Sequence, residues 1–391
     1  MALLTRTAGP VPGRPGVRDT HRPPAPRLRH LGPNWYATVM GTAIVASAGA
    51  ALPLDAAALP GARAVWVALW ALSALALATV LAARAGHWLR HRDRARADLL
   101  DPAVAPFHGC LAMALLAVGS ATLTVGRAVL GERAALAVDA VLFGAGTVTG
   151  LLVAVGIPYL MVVGHRTELA DASPVWLLPA VTPMVSAAVG PALVPYLPAG
   201  QGRAALLLGC YALFGLSLLA TLVLLPLVLA RLLAYGPLPL ALTPVLFLVL
   251  GPLGQSTTAV ARIAEAAPGA VGGPYPAALA GFAVVYGVPV MGFALLWLAL
   301  AGALVVRAVR RGMRFTMTWW AFTFPVGTCV TGAAELARHT GVTALTWLSA
   351  GLFALLATAW AVAGWGTVRG VLSGALPAAP RAPVPAKART R

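Results

Sequence analysis

WWAFTFPVGT, residues 319–328, opens an apolar segment directly after the cationic run Arg307, Arg310, Arg311 and Arg314. Cations and tryptophans suit a membrane interface, so the segment reads as a spanning helix entered from the cytoplasm. Pro325 then removes a helical hydrogen bond well inside the membrane, which hydrocarbon tolerates only where protein or a water-filled cavity takes up the freed backbone groups. That points to a pathway lined by broken helices.

The rest of the chain has the composition this requires. Of 391 residues, 60% are apolar and 10% charged, with a mean hydropathy of +0.85, whereas about a quarter of a soluble domain is charged. The sequence divides into ten apolar runs, at 34–52, 63–83, 107–126, 134–163, 174–197, 204–230, 242–261, 277–306, 315–337 and 343–367. Each is long enough to cross a ~30 Å hydrocarbon core as a helix. The expected fold is therefore all-α and integral to the membrane, with ten transmembrane helices as five helical hairpins around a central pore. Residues 1–30 and 371–391 are Pro-, Arg- or Lys-rich without an apolar core and read as disordered basic cytoplasmic tails flanking a transport domain at 31–370.

The net charge of +17 is distributed by side rather than by surface. With the N-terminus in the cytoplasm, 22 of the 28 cations fall inside and six outside: Arg63, Arg127, Arg133, Arg203, Arg262 and Arg338. This bias places both termini in the cytoplasm of a multi-pass plasma-membrane protein. The tails lack the interleaved aromatics of a nucleic-acid surface and suit lipid headgroups instead. Cys110, Cys210 and Cys329 sit in three different apolar runs with no CxxC or Cys/His cluster, as inert buried thiols do.

Pro183, Pro252 and Pro325 are 69 and 73 residues apart, on the fifth, seventh and ninth runs, each with glycine nearby. A helical hairpin is then the repeat unit, and two further units back from Pro183 lies Gly41, a glycine version of the same break. The odd helices form an inner ring and the even ones surround it. Near the breaks stand hydroxyl and amide donors, which makes Gly41, Thr42, Pro183, Ser186, Pro252, Gln255, Ser256, Pro325 and Thr328 the candidate pore lining. Competing with that role is the habit of Ser and Thr of bonding to their own helix carbonyls.

Four segments resemble a known family: PNWYATVMGTAIVA at 33–46, WLLPAVTPMVSAA at 176–188, GPLGQSTTA at 251–259 and WWAFTFPVG at 319–327. They are similar to the recurring segments of the tellurite-resistance/dicarboxylate transporters, whose relatives include malate and sulfite transporters and the slow anion channels of plants. The resemblance covers roughly residues 30–370. It implies five hairpins about a central pore in each subunit, assembly as a homotrimer, and small inorganic anions or C4-dicarboxylates as cargo.

No Asp, Glu, Lys or Arg falls near the middle of a run; Asp139, Arg262, Glu265 and Glu335 lie towards ends. A mid-membrane charge marks a proton relay or coupling site, so an uncoupled anion channel or facilitator leads over a proton- or sodium-coupled transporter. A membrane-embedded enzyme would need acid, base or metal ligands at one depth. There is no HExxH, paired intramembrane carboxylate or GxxxxGK[ST] to supply catalytic residues, a metal site or ATP-driven transport, and no cofactor is expected.

A ring in the ninth helix is expected to close the pathway. Phe324 lies ten residues beyond Arg314, roughly 15 Å along a helix at about 1.5 Å per residue, near the midplane of the core. Phe322 points about 200° away around the helix axis, so the two rings cannot share one position. The family pattern of a gating phenylalanine just before the ninth-helix break favours Phe324, with Phe322 the alternate.

The cation asymmetry predicts that protease added outside intact cells spares a tag on either terminus, whereas permeabilised cells lose both. Cleavage of a C-terminal tag from outside would overturn the orientation and the even span count.

Overall fold

The computed structural model describes residues 31–53, 61–164, 167–374 and 376; the tail assigned to 1–30 lies outside them, as does that assigned to 371–391 except for 371–374 and 376, of which Val371 and Leu372 continue the last helix. Among the described residues all regular structure is helical. Each apolar run forms a helix: α1 (Tyr36–Ala50), α2 (Ala62–Arg90), α3 (Ala105–Leu130), α4 (Glu132–Val163), α5 (Pro174–Tyr196), α6 (Gln201–Tyr235), α7 (Leu240–Gly269), α8 (Tyr275–Arg310), α9 (Phe324–Thr340) and α10 (Thr343–Leu372). All but α1 and α9 are, alone, long and apolar enough to cross a membrane, which makes eight. A short helix, Arg92–Leu100, follows α2 and is tied back to it by Asp98, whose carboxylate lies 3.8 Å from both Arg84 and His87 and 3.3 Å from Arg94.

Burial divides the helices into two classes. In the most apolar windows of α3, α5 and α7, 78 to 94% of residues are buried, against 17 to 28% in α2, α4, α6, α8 and α10. Every residue of α9 from Phe324 to Ala337 is buried, and α1 is buried almost throughout. The contacts follow the same division. Helix α1 packs on α3, α3 on α5, α5 on α7, α7 on α9, and α9 back on α1, closing a ring. Each even helix lies in the groove between the odd helices on either side of it in sequence, so α8 packs on α7 and α9, and α10 on α9 and α1.

The even helices show how sequence produces this arrangement. They are apolar all round, as a lipid-facing helix must be, and turn inward only a narrow stripe. On α4 that stripe is Ala135, Asp139, Gly146 and Gly150; on α8 it is Ala283, Gly287, Met291, Ala294 and Trp297. Small residues there allow the backbones to approach closely.

Three odd helices change helical type along their length. Helix α7 begins as a 3-10 helix, Leu240–Val249, and continues as α-helix from Leu250. A 3-10 stretch, Met317–Phe322, leads into α9 through Thr323, at φ −92° and ψ −78°. Helix α5 ends in a 3-10 stretch, Gly190–Tyr196. In α3 a turn of π-helix, Thr122–Gly126, packs against Trp70, whose indole donates to Thr122 Oγ1 at 2.9 Å.

These findings correct the expected breaks. Pro325 is the second residue of α9, within the first turn, where the N–H has no intrahelical acceptor in any case, and Pro252 is the third residue after α7 passes from 3-10 to α-helix. They start α-helical segments and do not interrupt them. Only Pro183 lies deeper inside one, and Thr182 Oγ1 sits 2.9 Å from the Pro179 carbonyl that Pro183 leaves unused. Helix α1 runs unbroken through Gly41, which instead admits the Thr323 and Trp320 side chains of the stretch before α9.

The tightest ring contact joins α7 to α9. A side-chain carbon at Gly254 would overlap the Thr328–Cys329 backbone, and one at Gly327 would overlap Ile44 of α1. Gly254→Ala is therefore expected to destabilise the folded protein by about 1–3 kcal/mol. Gly292→Ala on the exposed side of α8, where nothing lies within 4 Å, should gain up to about 1 kcal/mol from helix propensity. Denaturant unfolding in detergent measures both, and equal shifts would refute the close contact.

Candidate functional site

The α-helical parts of α7 and α9 are equivalent at an offset of 73 residues. Gly251 corresponds to Phe324, Pro252 to Pro325, Gln255 to Thr328, Thr258 to Thr331 and Arg262 to Glu335. Two of these pairs touch, Thr258 Oγ1 to Thr331 Oγ1 at 2.8 Å and Arg262 Nε to Glu335 Oε1 at 3.0 Å. The helices thus lie side by side at equal depth.

At about 100° per residue, Gly251, Gln255, Thr258 and Arg262 share one face of α7, and Phe324, Thr328, Thr331 and Glu335 one face of α9. The opposite face of α7 meets the outer helices. Thr257 packs on Gly287 of α8, while Pro252, Leu253 and Ser256 line a cavity of about 420 Å³ with Thr221 of α6 and Tyr286, Pro289 and Phe293 of α8. The inward face is less filled. A side-chain carbon at buried Gly251 would find nothing within 4 Å, and the buried Gln255 Oε1 has no hydrogen-bond partner. Phe324, 4% exposed, enters at the depth of Gly251.

Phe322 occupies a different environment. Its ring meets Phe247 edge to face at 4.7 Å and Trp319 at 5.8 Å, and Trp319 in turn meets Phe315. That cluster joins the 3-10 entries of α7 and α9. Phe324 has no aromatic partner among the described residues.

The remaining sequence candidates separate according to where their hydroxyls go. Thr328 Oγ1 lies 2.7 Å from its own Pro325 carbonyl and 3.3 and 3.4 Å from the Leu250 and Gly251 carbonyls, within the α7–α9 contact. Ser256 donates to Leu253. Thr42 donates to Thr38 and accepts from the Trp360 indole of α10 at 3.0 Å, and Ser186 accepts from Thr147 of α4 at 2.9 Å. The structure therefore brings Thr328 against Gly251, and the register sets Phe324, Pro252 and Pro325 at the level of Gly251 with Gln255 one turn on. Thr42, Ser186 and Ser256 engage neighbouring helices or their own backbone, and Pro183 is served by Thr182.

Two features were not anticipated. Asp139, read as a residue near a helix end, is 2% exposed, its Oδ1 without a hydrogen-bond partner and facing Gly119 of α3. Its place in the small-residue stripe of α4 is the signal that marks it as inward. Where α7 and α9 end, Glu335 is also 2% exposed and accepts from both Arg262 and Arg338. The three cysteines are buried and free, as expected.

Comparison with known proteins agrees with this arrangement. The chain matches the voltage-dependent anion channel family over residues 30–368. It is 25% identical over 337 residues to an uncharacterised transporter of Methanocaldococcus jannaschii, covering 86% of this chain and 92% of that one. It is 27% identical over 318 residues to the sulfite efflux pump of Trichophyton rubrum, covering 80% and 83%, and 26% identical over the same length to that of Arthroderma otae. The ring of odd-numbered helices and the four segments that resembled the dicarboxylate and sulfite transporters thus have one explanation: the chain belongs to the voltage-dependent anion channel family.

Proposed function

We propose that this protein is a plasma-membrane channel or facilitator for small anions, with ten spanning helices arranged as five hairpins and Phe324 as the gate of a pathway along the ring axis. The observation that carries the reading is the α7–α9 register. It sets Phe324 level with buried Gly251, where a side-chain carbon would meet nothing within 4 Å, and one turn from Gln255, whose amide oxygen has no partner. An aromatic ring in such a constriction excludes water and closes the path. Between this level and Arg262 the two inward faces carry only Gln255, Thr258, Thr328 and Thr331 as polar groups. The three threonine hydroxyls are bonded within the α7–α9 contact, which leaves the Gln255 carboxamide to meet an anion, and a neutral group of that kind holds one weakly and releases it readily.

The substrate class follows from the family and from the named activity of the fungal relatives. Sulfite is the first anion to test, followed by C4-dicarboxylates, nitrate, chloride and tellurite. A homotrimer is the assembly that the family resemblance implies. The transporters among the relatives support this reading over a membrane-embedded enzyme.

A second reading, proton-coupled anion export, gains its support from Asp139. An inward carboxylate with an unpartnered oxygen is the kind of group a coupled transporter uses, since an intramembrane acid is costly unless it has work to do. Asp139→Asn should leave passive anion flux unchanged if the protein is a channel. Loss of pH-gradient-driven sulfite uptake in liposomes, with the downhill flux retained, would favour coupling.

Phe324→Ala should raise basal sulfite flux in proteoliposomes several-fold without loss of folded protein. Phe322→Ala should leave flux near wild type and cost about 1–3 kcal/mol of stability through the aromatic contacts it gives up. Wild-type flux from well-folded Phe324→Ala removes the gate; a large increase from Phe322→Ala transfers it to that ring.

Anion-over-cation selectivity should survive triple alanine replacement of Arg90, Arg92 and Arg94 and shift in Gln255→Ala. Reversal potentials in an anion gradient decide this. If only the triple variant lost selectivity, the inward polar face would not be the filter.

A further inference from the structure

At the mouth where α7 and α9 end, three charged side chains are joined to the end of a third ring helix. Glu335 accepts from Arg262 Nε at 3.0 Å through Oε1 and from Arg338 Nε at 3.2 Å through Oε2, with Arg338 Nη2 2.6 Å from Oε1. Arg338 Nη1 donates to the Ala51 carbonyl just after α1 at 2.9 Å. Arg338 thus commits all three of its nitrogens to protein acceptors. Arg262 commits only Nε among the described residues, and its side chain is one-fifth exposed.

We infer that Arg262 is the binding group of a small-oxoanion site at this mouth, with Glu335 and Arg338 as its positioning residues. The carboxylate of Glu335 neutralises one guanidinium and not two, so the cluster keeps one positive charge. Its geometry holds the Arg262 plane by one edge and leaves Nη1 and Nη2 as a fork, the arrangement that receives two oxygens of a carboxylate, sulfite or sulfate. Stability alone explains the trio poorly, because buried ion pairs are often replaceable by apolar residues without loss. A pathway for anions that has few polar groups deeper in gains a local concentration of substrate from a charged entrance. The inference rests on reading α1, α7 and α9 as walls of that pathway.

The test uses purified full-length protein and sodium sulfate, with sodium chloride at equal ionic strength as the reference. Sulfate stabilises folded proteins generally, so the measurement is the saturable part of the rise in thermal midpoint. Wild type and Arg133→Gln, which removes an exposed arginine from α4, should show it. Arg262→Gln should lose it, and Arg262→Lys, which keeps the charge but not the fork, should show it only at several-fold higher sulfate. In proteoliposomes on a Phe324→Ala background, Arg262→Gln should raise the half-saturating sulfate concentration several-fold and leave the maximal flux unchanged.

An undiminished saturable shift in Arg262→Gln overturns the site. Should that variant not fold, a wild-type sulfate dependence in Arg262→Lys overturns it equally. An Arg262-dependent shift with no anion flux from any variant would uphold the site and reject the channel reading. Flux with unchanged half-saturation would uphold the channel and reject the site.

Discussion

Every backbone carbonyl freed inside hydrocarbon must find a donor, and this requirement organises the ring. An unsatisfied group there costs several kcal/mol, so a change of helical type is best placed where neighbours supply hydrogen bonds. Thr182 serves the carbonyl that Pro183 abandons, and the Trp297 indole of α8 reaches across to the Leu246 carbonyl in the 3-10 part of α7 at 2.9 Å. Trp320 O, just before α9, is taken by Thr323 Oγ1 at 2.7 Å. The helices that change type therefore lie in the inner ring, and the five that enclose them are α-helical throughout, although α4, α6 and α8 each contain a proline.

Close approach does the remainder. Gly254 allows α7 to lie against the α9 backbone, and once it does, the Thr258–Thr331 and Arg262–Glu335 pairs fix depth and rotation together. Rotation matters because it decides which side chains face inward. Turning α7 by one residue, about 100°, would replace Gly251 and Gln255 on the inward face by Pro252 and Ser256, which now line the outer cavity. The open position at Gly251 thus depends on α7 keeping this rotation.

The spans were legible because hydropathy depends on composition and tolerates error in register. Inner and outer helices were legible in kind from the proline spacing, although Pro252 and Pro325 proved to begin α-helical segments, Pro183 lies within one, and α1 has no break at Gly41. The assignment of hydroxyls was not legible. Whether Thr42 faces a pathway or the Trp360 indole, 318 residues away, depends on helix rotation, to which an apolar sequence gives little clue. Gln255 stood out as a carboxamide directly after a Gly-Pro stretch, and Phe324 by its depth and the family pattern. Asp139 was misread for lack of depth information: seven residues from its helix start, about 10 Å at 1.5 Å per residue, it counted as near an end. The spacing of 73 residues between Pro252 and Pro325 also separates Arg262 from Glu335. Extending the period from the prolines to the charges would have paired them.

A helix that begins apart from what precedes it exposes its first N–H groups and so presents the positive end of its dipole. In α7 that end is filled, since the 3-10 stretch runs on without a gap and Leu250 N–H is already bonded to the Phe247 carbonyl. Only α9, turned at Thr323, has a break where a helix start stands apart from what precedes it. A partial charge at one helix start is a modest attraction, worth roughly 0.3–1 kcal/mol where exposed. Whatever draws anions in must therefore rely more on discrete side chains, and on these inward faces the group with charge to spare is the Arg262 guanidinium, held at the mouth by its carboxylate.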